Sequence, residues 1–284
     1  MSKSLADASS AEQFSEGALA VGPMPVMGGA APALPPLPLD RVASQLEQSA
    51  ADRTARLEET ISELEAFSYS ISHDMRSSLR VMQHYAQGLL EDYGAKLDSE
   101  GIGALTRIHQ TCSRLDVQIR ELLLYSRIAK SEIKLKPISL GPLVENLIEQ
   151  HAGFAEVRHC FKVEQPLHKV KGNEAYLIQC FTNLLGNALK FVSPGNSPEI
   201  HVRSERESGK VCVRVSDNGI GIAQDQSHRI FQLFGRVHPE SVYPGTGLGL
   251  AIVKKAISRM GGETGFISQL GRGSEFWFTL READ

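Results

Sequence analysis

The sequence predicts an α+β protein in which an N-terminal antiparallel helical hairpin, forming a dimeric four-helix bundle, is followed by an α/β sandwich. Three observations predict it. Two long amphipathic stretches flank a short loop containing Gly94. Near residue 134 that single helical period gives way to helix and strand patterns in alternation. The composition, 42% hydrophobic and 22% charged over 284 residues, supplies cores for about two domains. The net charge of -3 gives no electrostatic reason to expect nucleic acid or an anionic membrane as partner. Cys112, Cys160, Cys180 and Cys212 have no paired zinc spacing and no signal peptide precedes them, so they read as reduced thiols of the cytoplasm.

Residues 1–40 form an Ala- and Pro-rich tail. Its uncharged run from Gly17 to Leu39 is interrupted by Pro23, Pro25, Pro32, Pro35, Pro36 and Pro38, which rules out a membrane-spanning helix. With few large apolar side chains to offset chain entropy, it is expected to be disordered. Residues 41–133 hold the hairpin. From Leu46, the residues Leu57, Ile61, Leu64, Ile71, Met75, Leu79 and Met82 recur at helical steps, and the helix is expected to stop near Tyr93-Gly94, where glycine takes the left-handed conformation. The second helix runs from about Ser99 to Ala129, with Leu105, Ile108, Cys112, Leu115, Ile119, Leu122, Leu123 and Ile128 as its stripe. One hairpin leaves an apolar flank open, and pairing two hairpins closes it, so a homodimer is expected.

Residues 134–284 begin with a linker, Lys134 to Pro137. Helices are expected at Leu140–His151, Glu174–Lys190 and Leu248–Met260. Strands are expected at Val157–Val163, His201–Ser204, Val211–Ser216, Glu263–Ile267 and Glu275–Leu280, making a mixed sheet covered by helices on one face.

The chemistry-bearing residues lie in separate boxes. His73 is about 120–200° around its helix from Leu64, Ile71, Met75, Leu79 and Met82, so it is expected to face solvent as a partly neutral, nucleophilic imidazole. Asp74 flanks it as an orienter or proton acceptor, and Ser77 follows one turn on. Alone, an exposed helical histidine is an ordinary surface residue. Asn183, Asn187 and Lys190 share one helix face, where amide oxygens suit Mg²⁺ and a lysine suits phosphate; Phe191 follows directly. Asp217-Asn-Gly219-Ile-Gly221 follows a strand, where the carboxylate suits an amino group such as that of adenine, although the segment also reads as a plain turn. Gly245, Thr246, Gly247, Leu248 and Gly249 open a helix whose N–H groups suit phosphate. Phe231, Phe234 and Arg236 sit in a Gly/Pro-punctuated stretch that reads as a mobile lid, or, for the two phenylalanines, as ordinary core.

Taken in order, the His73, Asn183/Asn187, Asp217, Phe231/Phe234 and Gly245–Gly249 boxes and the closing Gly271-Arg-Gly273-Ser-Glu-Phe276 resemble the two-component sensor histidine kinases, and the phrasing Tyr243-Pro244-Gly245 resembles their phytochrome-like branch. The resemblance implies an ATP-binding fold of the gyrase, Hsp90 and MutL type. It implies that ATP and Mg²⁺ are used, with His73 accepting the γ-phosphoryl group, Asn187 binding Mg²⁺ with help from Asn183, Lys190 touching phosphate, Asp217 reading adenine, and Gly247 and Gly249 lining the phosphates. It further implies transfer to an aspartate of a separate response regulator receiver domain. A departure from the family is that only the tail and the helix from Leu46 precede the His73 box, so input is expected through a separate sensor or upstream protein, through the tail, or not at all. Ser78 stands where the family usually has proline, and Ser77 where phosphatase-competent members often have Thr or Asn. A non-catalytic dimeric docking scaffold is the other reading, and a gyrase-like ATPase leaves His73 unexplained.

Overall fold

The computed structural model describes residues 39–130, 132–239 and 242–283. The expected disordered tail through residue 38, and the side chains of residues 57–70 and of His73, lie outside the described residues. Contacts divide the chain into two compact units, Met1–Thr60 and Ile61–Asp284. In the first, the described part is the beginning of helix α1 (Leu39–Tyr93), which starts directly after Pro38 rather than at Leu46.

The second unit contains the rest of α1 and then helix α2 (Ser99–Lys130). A single turn at Gly94–Lys96 joins them, and Asp98 caps α2 by accepting the Gly101 N–H at 2.8 Å. The Gln83 amide donates to Ser113 Oγ at 2.7 Å and sets the register of the hairpin. Leu79, Ala86 and Cys112 are buried. The other described side chains of the expected α1 stripe are open: Ile71 is 40% exposed, Met75 50% and Met82 46%, and on α2 Ile108, Leu115 and Leu122 are exposed at seven-residue intervals. One hairpin has no second apolar layer to cover them. Ser78 Oγ donates back to the Asp74 carbonyl at 3.1 Å inside an unbroken helix, so the kink a proline would impose is absent.

The remaining elements are β1 (Lys136–Ser139), α3 (Leu140–Gln150), α4 (Ala152–Ala155), β2 (Phe161–Val163), β3 (Lys169–Gly172), α5 (Glu174–Lys190), β4 (Ile200–Glu207), β5 (Lys210–Asp217), α6 (Gly249–Arg259), β6 (Glu263–Gln269) and β7 (Gly273–Arg281). Five strands form one sheet in the order β2-β4-β5-β7-β6, with β2 parallel to β4 and the other pairs antiparallel. The expected linker at Lys134–Pro137 runs into a strand instead, because Lys136–Ser139 pairs antiparallel with β3. The strand expected at Val157–Val163 is shorter: Arg158–Cys160 is a 3-10 turn and only Phe161–Val163 pairs.

Strand alternation builds the core. Val211, Val213 and Val215 of β5 and Phe276, Phe278 and Leu280 of β7 point to one buried face. On that face lie Leu177, Phe181, Leu184 and Leu185 of α5 and Ile252, Val253, Ala256 and Ile257 of α6, each set at helical spacing. Phe181 and Phe278 meet edge to face at 5.7 Å. The other face of the sheet is polar, with Arg203, Arg214 and Ser216 all hydrogen-bonded to Glu275. Helix α5 starts where Asn173 Oδ1 accepts the Tyr176 N–H and carries Lys190 in its last turn, where the helix dipole favours a cation. Ile128, near the end of α2, is fully buried in this same core together with Leu140 and Val144. The hairpin and the sandwich therefore share a hydrophobic seam across residues 133–134.

Phe181→Ala should lower stability by about 3–5 kcal/mol in urea unfolding, because the cavity it leaves lies between sheet and helix. Ile267→Ala, at a site 65% exposed, should change it by less than about 0.5 kcal/mol.

Candidate active site

At the edge of the sandwich a cavity of about 280 Å³ is walled by residues from α5, from the end of β5 and the loop after it, from the loop before α6, and from α2. Asp217, the last residue of β5, anchors one side. Its Oδ1 accepts the N–H of Gly219 at 2.8 Å and of Ser274 at 3.1 Å, which leaves Oδ2 for a ligand. Burial pushes the Asp217 carboxyl above its ordinary range, and the two N–H bonds oppose that shift. Ile220, Ile222, Ile230 and Phe276 supply apolar wall. Gly221 turns the chain at φ +68°, and a Cβ there would lie 2.1 Å from the Gln269 carbonyl oxygen, so no side chain fits.

A second group collects around Lys190. Asn183, Asn187 and Lys190 are spaced to share one face of α5 and all three reach the wall. The Asn183 Nδ2 is buried without a hydrogen-bond partner. Such an atom costs about 1–3 kcal/mol unless a ligand oxygen meets it. Lys190 Nζ lies 4.2 Å from the Phe191 ring centre. Its pKa is depressed, first by burial and then by the nearby Arg236, with Glu121 opposing. Phe191, His238 and Tyr243 form an aromatic cluster with centroids 5.3–6.1 Å apart, and burial lowers the His238 pKa. Arg236 donates to the carbonyl of Gly245 and, at 3.1 Å, to that of Tyr243, so its guanidinium holds the loop before α6. Gly245, Thr246, Gly247 and Gly249 complete this side, with Gly247 at φ +75°. The first N–H groups of α6 have no partner within the helix.

Four of the predicted nucleotide-binding residues lie off the cavity wall. Gly219 acts behind it, holding Asp217. Leu248 is fully buried in the core. Phe231 packs on the core and meets Phe266 at 6.1 Å, while Phe234 is 54% exposed with φ +59°. Asp74 and Ser77 are exposed on α1.

Sequence reasoning missed the contribution of α2. Val117 and Glu121 line the cavity, and the Thr246 hydroxyl donates to Glu121 Oε2. Glu121 stands among Val117, Leu124, Tyr125 and Ile128 at helical steps, so a charged residue inside an apolar stripe was the available signal. Among the described residues no cluster of His, Cys, Asp and Glu could hold a metal. The amide oxygens of α5 remain the donors suited to a hard cation that keeps water and phosphate oxygens as its other ligands. The cavity fits a magnesium nucleotide on three counts: an unmet buried donor, a cation beside a helix N-terminus, and a carboxylate with one oxygen to spare. No helix among the described residues is long and apolar enough to cross a membrane.

Comparison with known proteins bears on the same segments. Residues 63–131 match the His Kinase A (phospho-acceptor) domain, and residues 172–284 match the histidine kinase-, DNA gyrase B- and HSP90-like ATPase family. Cyanobacterial phytochrome A of Nostoc sp. is 35% identical over 84% of this chain, and the sensor histidine kinase AruS of Pseudomonas aeruginosa is 32% identical over 84%. The chain spans only 31% and 25% of those two proteins. Full-length ShkA in complex with AMPPNP is similar in structure, with a TM-score of 0.57 and 29% identity over 76% of this chain and 46% of that one. The histidine kinase AdeS of Acinetobacter baumannii shares the fold at a TM-score of 0.50 and 22% identity, covering 75% of this chain and 98% of that one. With a phospho-acceptor hairpin and an ATPase fold matched in that order, the chain belongs to the two-component sensor histidine kinases.

Proposed function

We propose that this chain is the kinase core that phosphorylates His73 from Mg·ATP and hands the phosphoryl group to an aspartate of a separate receiver domain. One observation carries the reading. The Gln83–Ser113 bond fixes the hairpin register, and ten residues back on α1 and ten forward on α2 from that pair His73 comes level with Leu123, within about two helical turns of Glu121 and Val117, the α2 residues that wall the cavity. Acceptor and nucleotide pocket thus lie at one height on the hairpin.

In the proposed reaction, Asp217 accepts the adenine amino group, which fixes the base, and Lys190, Thr246 and the head of α6 hold the phosphates. Mg²⁺ bound at Asn187, with help from Asn183, supplies neutralisation of phosphate charge. The lone pair of the neutral His73 imidazole attacks the γ-phosphorus, the P–O bond to ADP breaks, and the proton on the other ring nitrogen is free to pass to Asp74 or water. Most of the rate comes from positioning. Ser77, exposed on the turn after His73, is the proposed aid to hydrolysis of the receiver phosphate. The use of ATP assigns the reaction to the cytoplasm. The exposed heptad-spaced residues of α1 and α2 fit a second hairpin, which makes the working unit a homodimer.

Incubation with γ-labelled ATP and Mg²⁺ should give acid-labile label on the wild type and none on His73→Gln or Asn187→Ala; label that survives His73→Gln would overturn the assignment. Asp217→Asn replaces one acceptor by a donor facing an amino group, and should weaken ADP binding at least about tenfold in titration calorimetry. A double change, Ile71→Asp with Leu122→Asp, should shift the protein from dimer to monomer in sedimentation equilibrium at micromolar concentration.

A further inference from the structure

The nucleotide cavity is closed on one side by the phospho-acceptor hairpin itself, and the group that closes it is charged. The face of α2 toward the sandwich carries Val117, Glu121, Leu124, Tyr125 and Ile128, of which Ile128 is fully buried and Leu124 and Tyr125 pack on the same core. Packing alone would favour an apolar residue at 121. Instead the Glu121 carboxylate accepts the Thr246 hydroxyl, whose oxygen in turn accepts the Leu248 N–H at 3.3 Å, immediately before α6 begins. Lys190 is the larger of the two cationic influences on it, ahead of Arg120. Hydroxyl, ammonium and helix N-terminus are the set that the proposed function gives to the triphosphate.

We infer that Glu121 is an internal competitor for the terminal phosphates, so that ATP enters only as the Glu121 carboxylate leaves Thr246. The inference rests on the reading of the cavity as an ATP site and concerns its regulation. Two anions at one hydroxyl and one ammonium repel each other, and the low-dielectric surroundings leave that repulsion poorly screened. Burial already holds the Glu121 carboxyl above its ordinary range, although Thr246 and Lys190 pull it back. Because Glu121 is carried by α2, the coupling is reciprocal. A shift of α2 that withdraws the carboxylate opens the site to triphosphate, and bound triphosphate disfavours the seating of Glu121.

The test is the affinity of the full chain for Mg·AMP-PNP and for AMP, measured by titration calorimetry on wild type, Glu121→Gln and Glu121→Ala. Glu121→Gln keeps the size and a hydrogen-bond acceptor but removes the charge, which separates electrostatics from packing. Both variants should bind AMP-PNP about fivefold or more tightly than wild type, with AMP unchanged. Equal or weaker AMP-PNP binding by both variants, beside measurable binding by wild type, overturns the competitor and leaves the ATP site standing. Equal tightening for AMP also overturns it, since a general opening of the cavity would then be the cause. Absence of nucleotide binding by all three proteins overturns the ATP-site reading itself.

Discussion

Burial of Ile128 ties the helical hairpin to the sandwich, and the rest of the site follows from it. The residue has no exposed surface and shares its core with Leu140, Val144 and the inner faces of α5 and α6. Fully burying such a side chain contributes about 1.5–3 kcal/mol. Its larger consequence is geometric, because a rigid helix docked at its end is aligned along its length. Glu121, seven residues earlier and about two turns back, is brought beside Thr246, and Val117 one turn further beside the same cavity. The residues that complete the pocket are thus placed by packing, while their chemistry is polar.

That chemistry puts strongly interacting groups into a small volume. Lys190 is held below its ordinary pKa and Glu121 above it, and burial is the largest cause of each shift. Arg236 adds a second positive charge, tied to the loop carbonyls of Gly245 and Tyr243. Two cations facing one carboxylate leave an excess of positive charge beside a helix N-terminus, so an incoming polyanion is attracted to the site even while one carboxylate resists it. Asp217, anchored by two backbone N–H groups on one oxygen, supplies directional recognition elsewhere in the cavity. In the proposed function, charge selects the phosphates and hydrogen-bond geometry selects the base.

Much of the fold was legible because its signals are local. Helix α5 matched its expected bounds: Asn173 caps it, and Leu177, Phe181, Leu184 and Leu185 recur at helical steps. The five-stranded sheet was legible through the alternation on β5 and β7. Strand β1 was missed because four residues are too few to show a period, and its partner, β3, lies some thirty residues away. The α2 side of the cavity was missed for a related reason. Glu121 and Thr246 are 125 residues apart, and only the docking of α2 on the sandwich brings them together. Phe231 shows the opposite case, since an aromatic next to a ligand-binding loop reads the same whether it meets the ligand or the core; of the two readings the sequence allowed, the structure shows its packing against the core.

The shared dependence on α2 also bears on phosphoryl transfer. Transfer requires the γ-phosphorus to be held within attacking distance of the acceptor, and tolerance for error is small. The height of the acceptor helix is set against α2 by the Gln83–Ser113 bond, and the height of the cavity is set against α2 by Ile128 and its neighbours. One helix is therefore the common ruler for both reactants. A register change between α1 and α2 would move His73 relative to the pocket, whereas a rotation of α2 would move Glu121 relative to Thr246. Ser78 preserves a regular helical backbone where a proline would bend it, so a movement imposed on α1 is transmitted past His73 with little lost to bending. The first movement would alter access of the acceptor, the second access of the nucleotide, and a twisting hairpin couples the two because both are set against the same helix, α2.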